Sequence, residues 1–534
     1  MNIRHQSDGS QTAAACHNKG PMMVLAGPGS GKTFVIVNRI ENLIKNCGAE
    51  PEKILVITFT RAAATQMRER FEARCGKSLA VNFGTFHAVF FKILRYAYNY
   101  KASSILADEE KFALVDDIVK GLSPDRNEDS DLVRDVSSEI GKIKCDGIDV
   151  EHYFSVNLKE DEFRKVYSEY NRRVRAMGKI DFDDMVLYCR DLLAARKDIL
   201  EFWQSRYEYI LIDEFQDINR LQYETIKLIA GERDNLFIVG DDDQSIYHFR
   251  GASPSFMLNF EREHEGCKRV VLDRNYRSGS RILGAASKLI AHNKNRFDKE
   301  LKAARDGGEV FIREYSDLRT QNEAIVRDVI RQHDLGLPYD RMAVLYRTNM
   351  QPGALAEKLM EYNVPFRMKD GMKGVFSHWI AMNFFDYINI ARGEGDRKAA
   401  LRIINRPARY IKRESLAGNR VTLEGLRKMY AEKPYVVEKL DKLKYDLIVL
   451  KKLGPLSAIR YIRRAVGYDD YLGEYAGKRG IDKDELLKIA DEIEQSAEGF
   501  DSVEEWFEHI EDCKTKLGEA MQEADGEDRL WLMT

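Results

Sequence analysis

The stretch Gly27-Pro28-Gly29-Ser30-Gly31-Lys32-Thr33, preceded by Ala26, holds the residue types that bind a phosphate chain. Glycines let backbone N–H groups close around phosphate oxygens at the start of a helix. The lysine then places a positive charge on the β and γ phosphates, and the threonine hydroxyl can ligate Mg2+. Only Ala26, at the first position, departs from the strict form of this loop. Such a loop needs carboxylates opposite it, and Asp213-Glu214 close an apolar run and precede Phe-Gln-Asp. Asp213 is suited to share Mg2+ with Thr33, and Glu214 to orient and deprotonate an attacking water. A third segment, running from Gly240 through three aspartates to Gln244, Tyr247, Phe249 and Arg250, combines an amide, two aromatics and a cation. An amide beside a γ phosphate can sense its presence, and aromatics there can stack on bases. Spacing alone leaves open whether Tyr247 and Phe249 stack on bases or fill a core.

These groups need a scaffold that brings strand ends together. Residues 22–26 form an apolar strand that breaks into the glycine loop, and residues 34–44 follow with helical spacing. A second strand, 54–57, ends in Thr58-Phe59-Thr60 and leads into the helix-like RAAATQMRERFEAR; strands at 209–212 and 236–239 end in the acidic segments. Strands that alternate with helices and end in polar residues predict an α/β fold with a parallel sheet whose active edge lies at the strand C-termini. Residues 91–206 read as a charged helical insertion. After Asn275-Tyr276-Arg277-Ser278 the alternation resumes, with strands at 310–314 and 342–346 and helices at 322–333 and 355–362. From about Phe376 to Asp528 amphipathic helices take over.

The chain has 534 residues, which at roughly 150 per domain predicts three to four domains. With 44% hydrophobic and 32% charged residues and 11 prolines it reads as core-forming rather than disordered. It has neither an apolar run long enough to span a membrane nor the apolar core of a signal peptide near its start, so a cytoplasmic location is expected. The seven cysteines (16, 47, 75, 145, 189, 267 and 513) form no CxxC pair, which indicates neither a zinc site nor a disulfide framework. The net charge of −3 conceals an uneven distribution: residues 491–528 carry fifteen Asp and Glu against two Lys, leaving the remainder basic. A basic body permits contact with nucleic acid phosphates without requiring it.

Together these segments resemble the UvrD, Rep and PcrA family of superfamily I DNA helicases. The resemblance rests on Gln11 sixteen residues before Gly27, AGPGSGKT, ITFTRAAATQM, GTFH at 84–87, DFDDM at 181–185, LIDEFQD, VGDDDQSIYHFRGA, NYRS at 275–278 and AVLYRTN at 343–349. It implies two RecA-like parallel-sheet domains, each with a helical insertion. The first RecA-like, ATP-binding domain is expected at 1–90 and 207–274, with its insertion at 91–206. The second is expected at 275–375 with a stub at 529–534, incomplete, and its insertion at 376–528. ATP is expected to contact Gln11, Ala26, Gly27, Pro28, Gly29, Ser30, Gly31, Lys32, Thr33, Tyr276 and Arg277. Mg2+ falls to Thr33 and Asp213. Asp213, Glu214, Gln244 and Arg277 take the catalytic roles, Gln244 coupling nucleotide state to DNA and Arg277 reaching the γ phosphate. Thr58, Phe59, Thr60, His87, Tyr247, Phe249, Arg250 and Arg347 fall where family members meet DNA.

The implied activity is ATP-dependent 3′ to 5′ movement on single-stranded DNA and at single/double-strand junctions, in repair, replication or recombination, with proteins of those processes as partners and no membrane. Two departures accompany the resemblance. Phe34 follows the GKT where several relatives have an arginine, and Leu532-Met533-Thr534 match only the opening of a motif that relatives continue as T-x-H-x-x-K-G-L-E-F. The expectation is therefore an N-terminal fragment that binds ATP weakly and hydrolyses it poorly for want of a later arginine worth about 10³ to 10⁵ in rate, with sheet edge and apolar surface left exposed. Two alternatives stand beside it: a catalytically weak ATP- and DNA-binding remnant, and a subunit of a helicase-nuclease, for which Asp181, Asp183 and Asp184 would be the tempting carboxylates.

Overall fold

Strand Met22–Ala26 (β1) lies inside a six-stranded sheet with Ile54–Thr58 (β2), Asn82–Thr85 (β3), Tyr209–Ile212 (β4), Leu236–Gly240 (β5) and Lys268–Leu272 (β6), ordered β3-β2-β4-β5-β1-β6. Every pairing is parallel, with Met22 opposite Phe237 on one side and Lys268 on the other. The computed structural model describes residues 8–122, 130–248, 251–347, 352–368, 375–416, 422–479, 482–522 and 528–534. The chain divides into two units, Met1–Phe311 and Ile312–Thr534.

In the first unit β1, β2, β4 and β5 are buried throughout, as strands covered on both faces must be. Alternate residues serve different cores. Met22 and Val24 pack with Val35, Ile40 and Phe71 on one face, while Met23 and Leu25 pack with Phe90, Leu193 and Trp203 on the other. The helices that begin and end the expected insertion, Phe86–Ala97, Phe182–Ala195 and Lys197–Arg206, thus belong to the sheet's own core. A separate core formed by Val115, Val136, Ile140, Phe163 and Tyr170 joins the helices between them.

The short strands Arg274–Asn275 (β7) and Lys302–Ala303 (β8) pair within the first unit, with which residues 275–311 lie. The strand expected at 310–314 does not form: Val310, Phe311 and Ile312 are exposed and adopt no regular structure.

In the second unit Ala343–Leu345 (β9), Phe366–Met368 (β10) and Leu530–Met533 (β11) form a parallel sheet ordered β10-β11-β9. The C-terminal segment is thus the central strand here, with Leu530 and Leu532 packed on Val326, Leu355 and Leu359. A helical bundle follows β10, centred on Phe384, Tyr387, Tyr468 and Trp506. Among the described residues no helix is long and apolar enough to cross a membrane.

Candidate functional site

The glycine loop leaves β1 at Ala26 and enters the helix Lys32–Lys45 through Gly31, whose φ of 90° an L side chain rarely adopts. This opens the helix N-terminus, with its unpaired N–H groups, toward the loop. Ser30 Oγ donates to the Gly27 carbonyl at 2.7 Å, and Gln11 Nε2 donates to the Ser30 carbonyl at 2.9 Å. Gln11 is buried on the helix Gly9–Ala15, whose N-terminus is closed by reciprocal bonds between Asp8 and Gln11.

The segment at 275–278 clasps the same loop. Tyr276 N donates to the Gly29 carbonyl at 2.9 Å, and a Cβ at Gly29 would stand 2.6 Å from that of Arg277. Asn275 Oδ1 accepts from the N–H groups of Arg277 and Ser278, both at 2.8 Å, and fixes the turn. The Tyr276 hydroxyl donates to Asp8 at 2.7 Å. Arg277 is exposed beside the loop, and among the described residues its guanidinium has no hydrogen bond or ion pair.

Opposite the loop, Lys32 Nζ donates to Glu214 Oε2 at 2.5 Å, the two side chains being 12% and 36% exposed. Glu214 sits at φ 51°, a left-handed conformation uncommon outside glycine and characteristic of strained functional positions. Its Oε2 also accepts from Gln216 Nε2 at 2.9 Å; Gln216 Oε1 accepts from Asp241 N at 3.0 Å, and Asp241 Oδ2 accepts from Gln244 Nε2 at 2.7 Å. A continuous hydrogen-bonded path therefore runs from the phosphate loop to Gln244 across the ends of β1, β4 and β5. Asp213, buried at the end of β4, is pushed up to about 7 by burial and by Glu214, against the pull of Lys32. Burial and Glu214 likewise push Asp217 up to about 6. The Thr33 hydroxyl and Asp213 carboxyl are hard oxygen donors of the kind Mg2+ prefers, and they fit it.

Three aspartates after β5 would suggest a metal site, but a cation already fills it. Lys299 Nζ, in a side chain 1% exposed, bonds Asp241 at 2.5 Å, Asp242, and Asp243 at 3.0 Å. Arg296 bonds both oxygens of Asp243 at 2.7 Å. Sequence reading missed Lys299, Arg296 and Gln216: the first two lie outside every motif, and only their burial beside carboxylates exposes them.

At the neighbouring strand ends the rings of Phe59 and Tyr247 lie 4.7 Å apart. Thr58 is buried, its Oγ1 donating to the Thr60 carbonyl at 2.8 Å, while Thr60 caps the helix Arg61–Cys75 through Ala63 N. His87 meets Phe182 edge-on at 5.5 Å, and burial lowers its pKa against the opposing effect of Asp183. Phe249 and Arg250 lie outside the described residues, and Arg347 is exposed after β9 in the second unit. The Arg74 guanidinium lies 5.9 Å from the Phe34 ring, so a cation from another helix stands beside Phe34.

The carboxylates of DFDDM are held by lysines. Lys144 binds Asp181 at 2.9 Å and Asp184 at 2.7 Å, Lys111 binds Asp183 at 3.0 Å, and the Tyr170 hydroxyl donates to Asp181 at 2.7 Å. Despite burial, Lys144 and Lys111 hold Asp181 below the usual carboxylate range, while burial and Asp181 push Asp184 up to about 6. These are braces of the inserted helices.

The UvrD/REP helicase N-terminal domain matches residues 7–265, and the UvrD-like helicase C-terminal domain matches 270–439. The chain belongs to the UvrD/Rep family of DNA helicases. This UvrD/Rep-family chain is 32% identical to YjcD of Bacillus subtilis (strain 168) over 518 residues, covering 94% of the chain and 68% of YjcD. It is 32% identical to the ATP-dependent DNA helicase Rep of Escherichia coli (strain K12) over 481 residues, covering 85% of the chain and 71% of Rep. With the ATP-dependent DNA helicase PcrA of Staphylococcus epidermidis it shares 33% identity over 414 residues, 75% of the chain but 56% of PcrA. The first match covers the loop, the relay and the paired aromatics, and the second covers the clasping segment at 275–278.

Proposed function

We propose that this chain is an ATP-dependent motor that moves 3′ to 5′ along single-stranded DNA and opens duplex at junctions, serving repair, replication or recombination. The observation that carries the reading is the path Lys32–Glu214–Gln216–Asp241–Gln244.

Lys32 and the loop N–H groups bind the β and γ phosphates of ATP. When the γ phosphate draws Lys32 away, Glu214 loses its counter-ion and is freed to orient and deprotonate the attacking water. Thr33 and Asp213 would hold Mg2+, which when bound would neutralise charge on the phosphates. Gln216, bonded to both Glu214 and Asp241, passes the change to Gln244 and to the ring pair Phe59–Tyr247, on which bases stack. Gln11 holds the loop and meets adenine, Tyr276 stacks on that ring, and Arg277 reaches the γ phosphate. Thr60, His87, Phe249 and Arg250 are further DNA contacts, as is Arg347 of the second unit, while the buried Thr58 holds the Thr60 carbonyl. Four structural parts serve this motor: two RecA-like domains and a helical insertion in each. The ion-paired state of Asp181, Asp183 and Asp184 disfavours the nuclease alternative.

The test is phosphate release with and without single-stranded DNA. A DNA-dependent rise that Gln244→Ala removes, with nucleotide binding kept, is expected; a rise that survives Gln244→Ala overturns the coupling.

A further inference from the structure

Within the second unit, three residues far apart in sequence meet between two helices. Glu357 belongs to the helix Pro352–Glu361, which packs on the three-stranded sheet, and His509 and Cys513 to the helix Val503–Gln522 of the bundle. Four residues apart, His509 and Cys513 share one helix face. Cys513 Sγ lies 3.5 Å from His509 Nε2, and the Cys513 thiol also hydrogen-bonds the Glu357 carboxyl. One ligand atom from each residue falls within 4.8 Å of the others. Ligands at zinc bond lengths in a tetrahedral site stand roughly 3.5 Å apart, so little contraction is needed.

Cys513 is buried and the other two are half-buried. They border a cavity of about 1370 Å³ that Glu492 and Asp512 also line. The Phe500 ring, 5.0 Å from that of His509, holds the imidazole in place. Cys513 also continues a buried stripe of Val503, Trp506 and Ile510, so a plain core cysteine is the competing explanation. Core packing does not require an imidazole and a carboxylate both directed at the sulfur.

We propose that Glu357, His509 and Cys513 form a binding site for a divalent transition ion of zinc type. A thiolate with an imidazole selects against Mg2+ and Ca2+, and three protein ligands beside a cavity leave the fourth position for water. On binding, the thiol proton leaves to solvent and the sulfur takes the ion. The ion ties the sheet-packed helix to the bundle, which makes the seating of the bundle on this sheet metal-dependent.

The test uses the full chain, reduced and stripped with a chelator, then titrated with Co2+ as the probe and with Zn2+ in competition. One equivalent of Co2+ is expected to give a thiolate-to-cobalt charge-transfer band that one equivalent of Zn2+ removes. Cys513→Ser is expected to abolish the band, while His509→Gln and Glu357→Gln weaken Zn2+ binding at least about 10-fold, the smallest loss seen when even an indirect partner is removed. Cys16→Ser, at an exposed cysteine, leaves the band unchanged. No tight equivalent in the unaltered chain overturns the proposal, as does a band that survives Cys513→Ser. Should Cys513→Ser fail to fold by circular dichroism, Glu357→Gln decides: unchanged Zn2+ affinity there overturns the site.

Discussion

The Lys299 ammonium is buried against Asp241, the same residue whose second oxygen accepts the Gln244 amide. The cation thus holds the carboxylate that positions the residue expected to sense nucleotide.

Lys299→Met therefore leaves three aspartates without their central charge. Removing one member of a buried pair costs about 3–5 kcal/mol. Urea unfolding is expected to show a loss of that order, with a DNA-stimulated turnover ratio falling toward one in whatever fraction stays folded. Lys299→Met combined with Asp242→Asn should regain part of the stability. A variant as stable as the unaltered chain would contradict the role of Lys299.

In the proposed motor, bases stack on Phe59 and Tyr247, whose rings lie 4.7 Å apart and tilted by 30°. Loss of a base–aromatic contact costs about 1–3 kcal/mol, so Tyr247→Ala is expected to weaken oligo(dT) binding roughly 5- to 150-fold. Fluorescence anisotropy of labelled oligo(dT) reads this directly, and ATP affinity without DNA should not change.

Asp213 gives a pH signature without Mg2+. Its carboxyl is raised from 3.8 to about 7, chiefly by burial, so between those values the folded chain binds more protons than the unfolded one. Stability from this group consequently falls as pH rises from about 4 to about 7 and is flat above. Asp213→Asn, which carries no charge, should match the unaltered chain near pH 4 and exceed it by a few kcal/mol above pH 7 in denaturant titrations. Equal stability at both ends would contradict the assignment.

The placing of Gly27–Thr33 and Asp213-Glu214 at strand ends facing one another was legible because residue type and spacing coincide within one strand–loop–helix passage. The four inner strands were legible because burial on both faces demands continuous apolar runs. The two edge strands were not: β3 reads Asn-Phe-Gly-Thr, half-buried throughout, and β6 opens on two exposed cations. Residues 310–314 misled in the opposite way, since their apolar character produces no strand and leaves Ile312 96% exposed. Lys299 and Arg296 stand 58 and 53 residues from their partners Asp241 and Asp243, and ion pairs across such distances leave no local periodicity. The metal ligands escaped for a related reason: a search for paired cysteines passes over a cysteine that finds its histidine one helical turn away and its glutamate on another helix.

The most direct test of the motor reading is phosphate release by this chain and its Glu214→Gln variant, with and without single-stranded DNA, alongside a nucleotide-binding titration. The account predicts turnover that rises with DNA in the unaltered chain and falls about 10² to 10⁴-fold in Glu214→Gln, as loss of a general base requires. ATP binding should stay as tight or tighten, because Lys32 no longer faces a competing carboxylate. Equal turnover in the two chains, or ATP binding lost with Glu214, would contradict it.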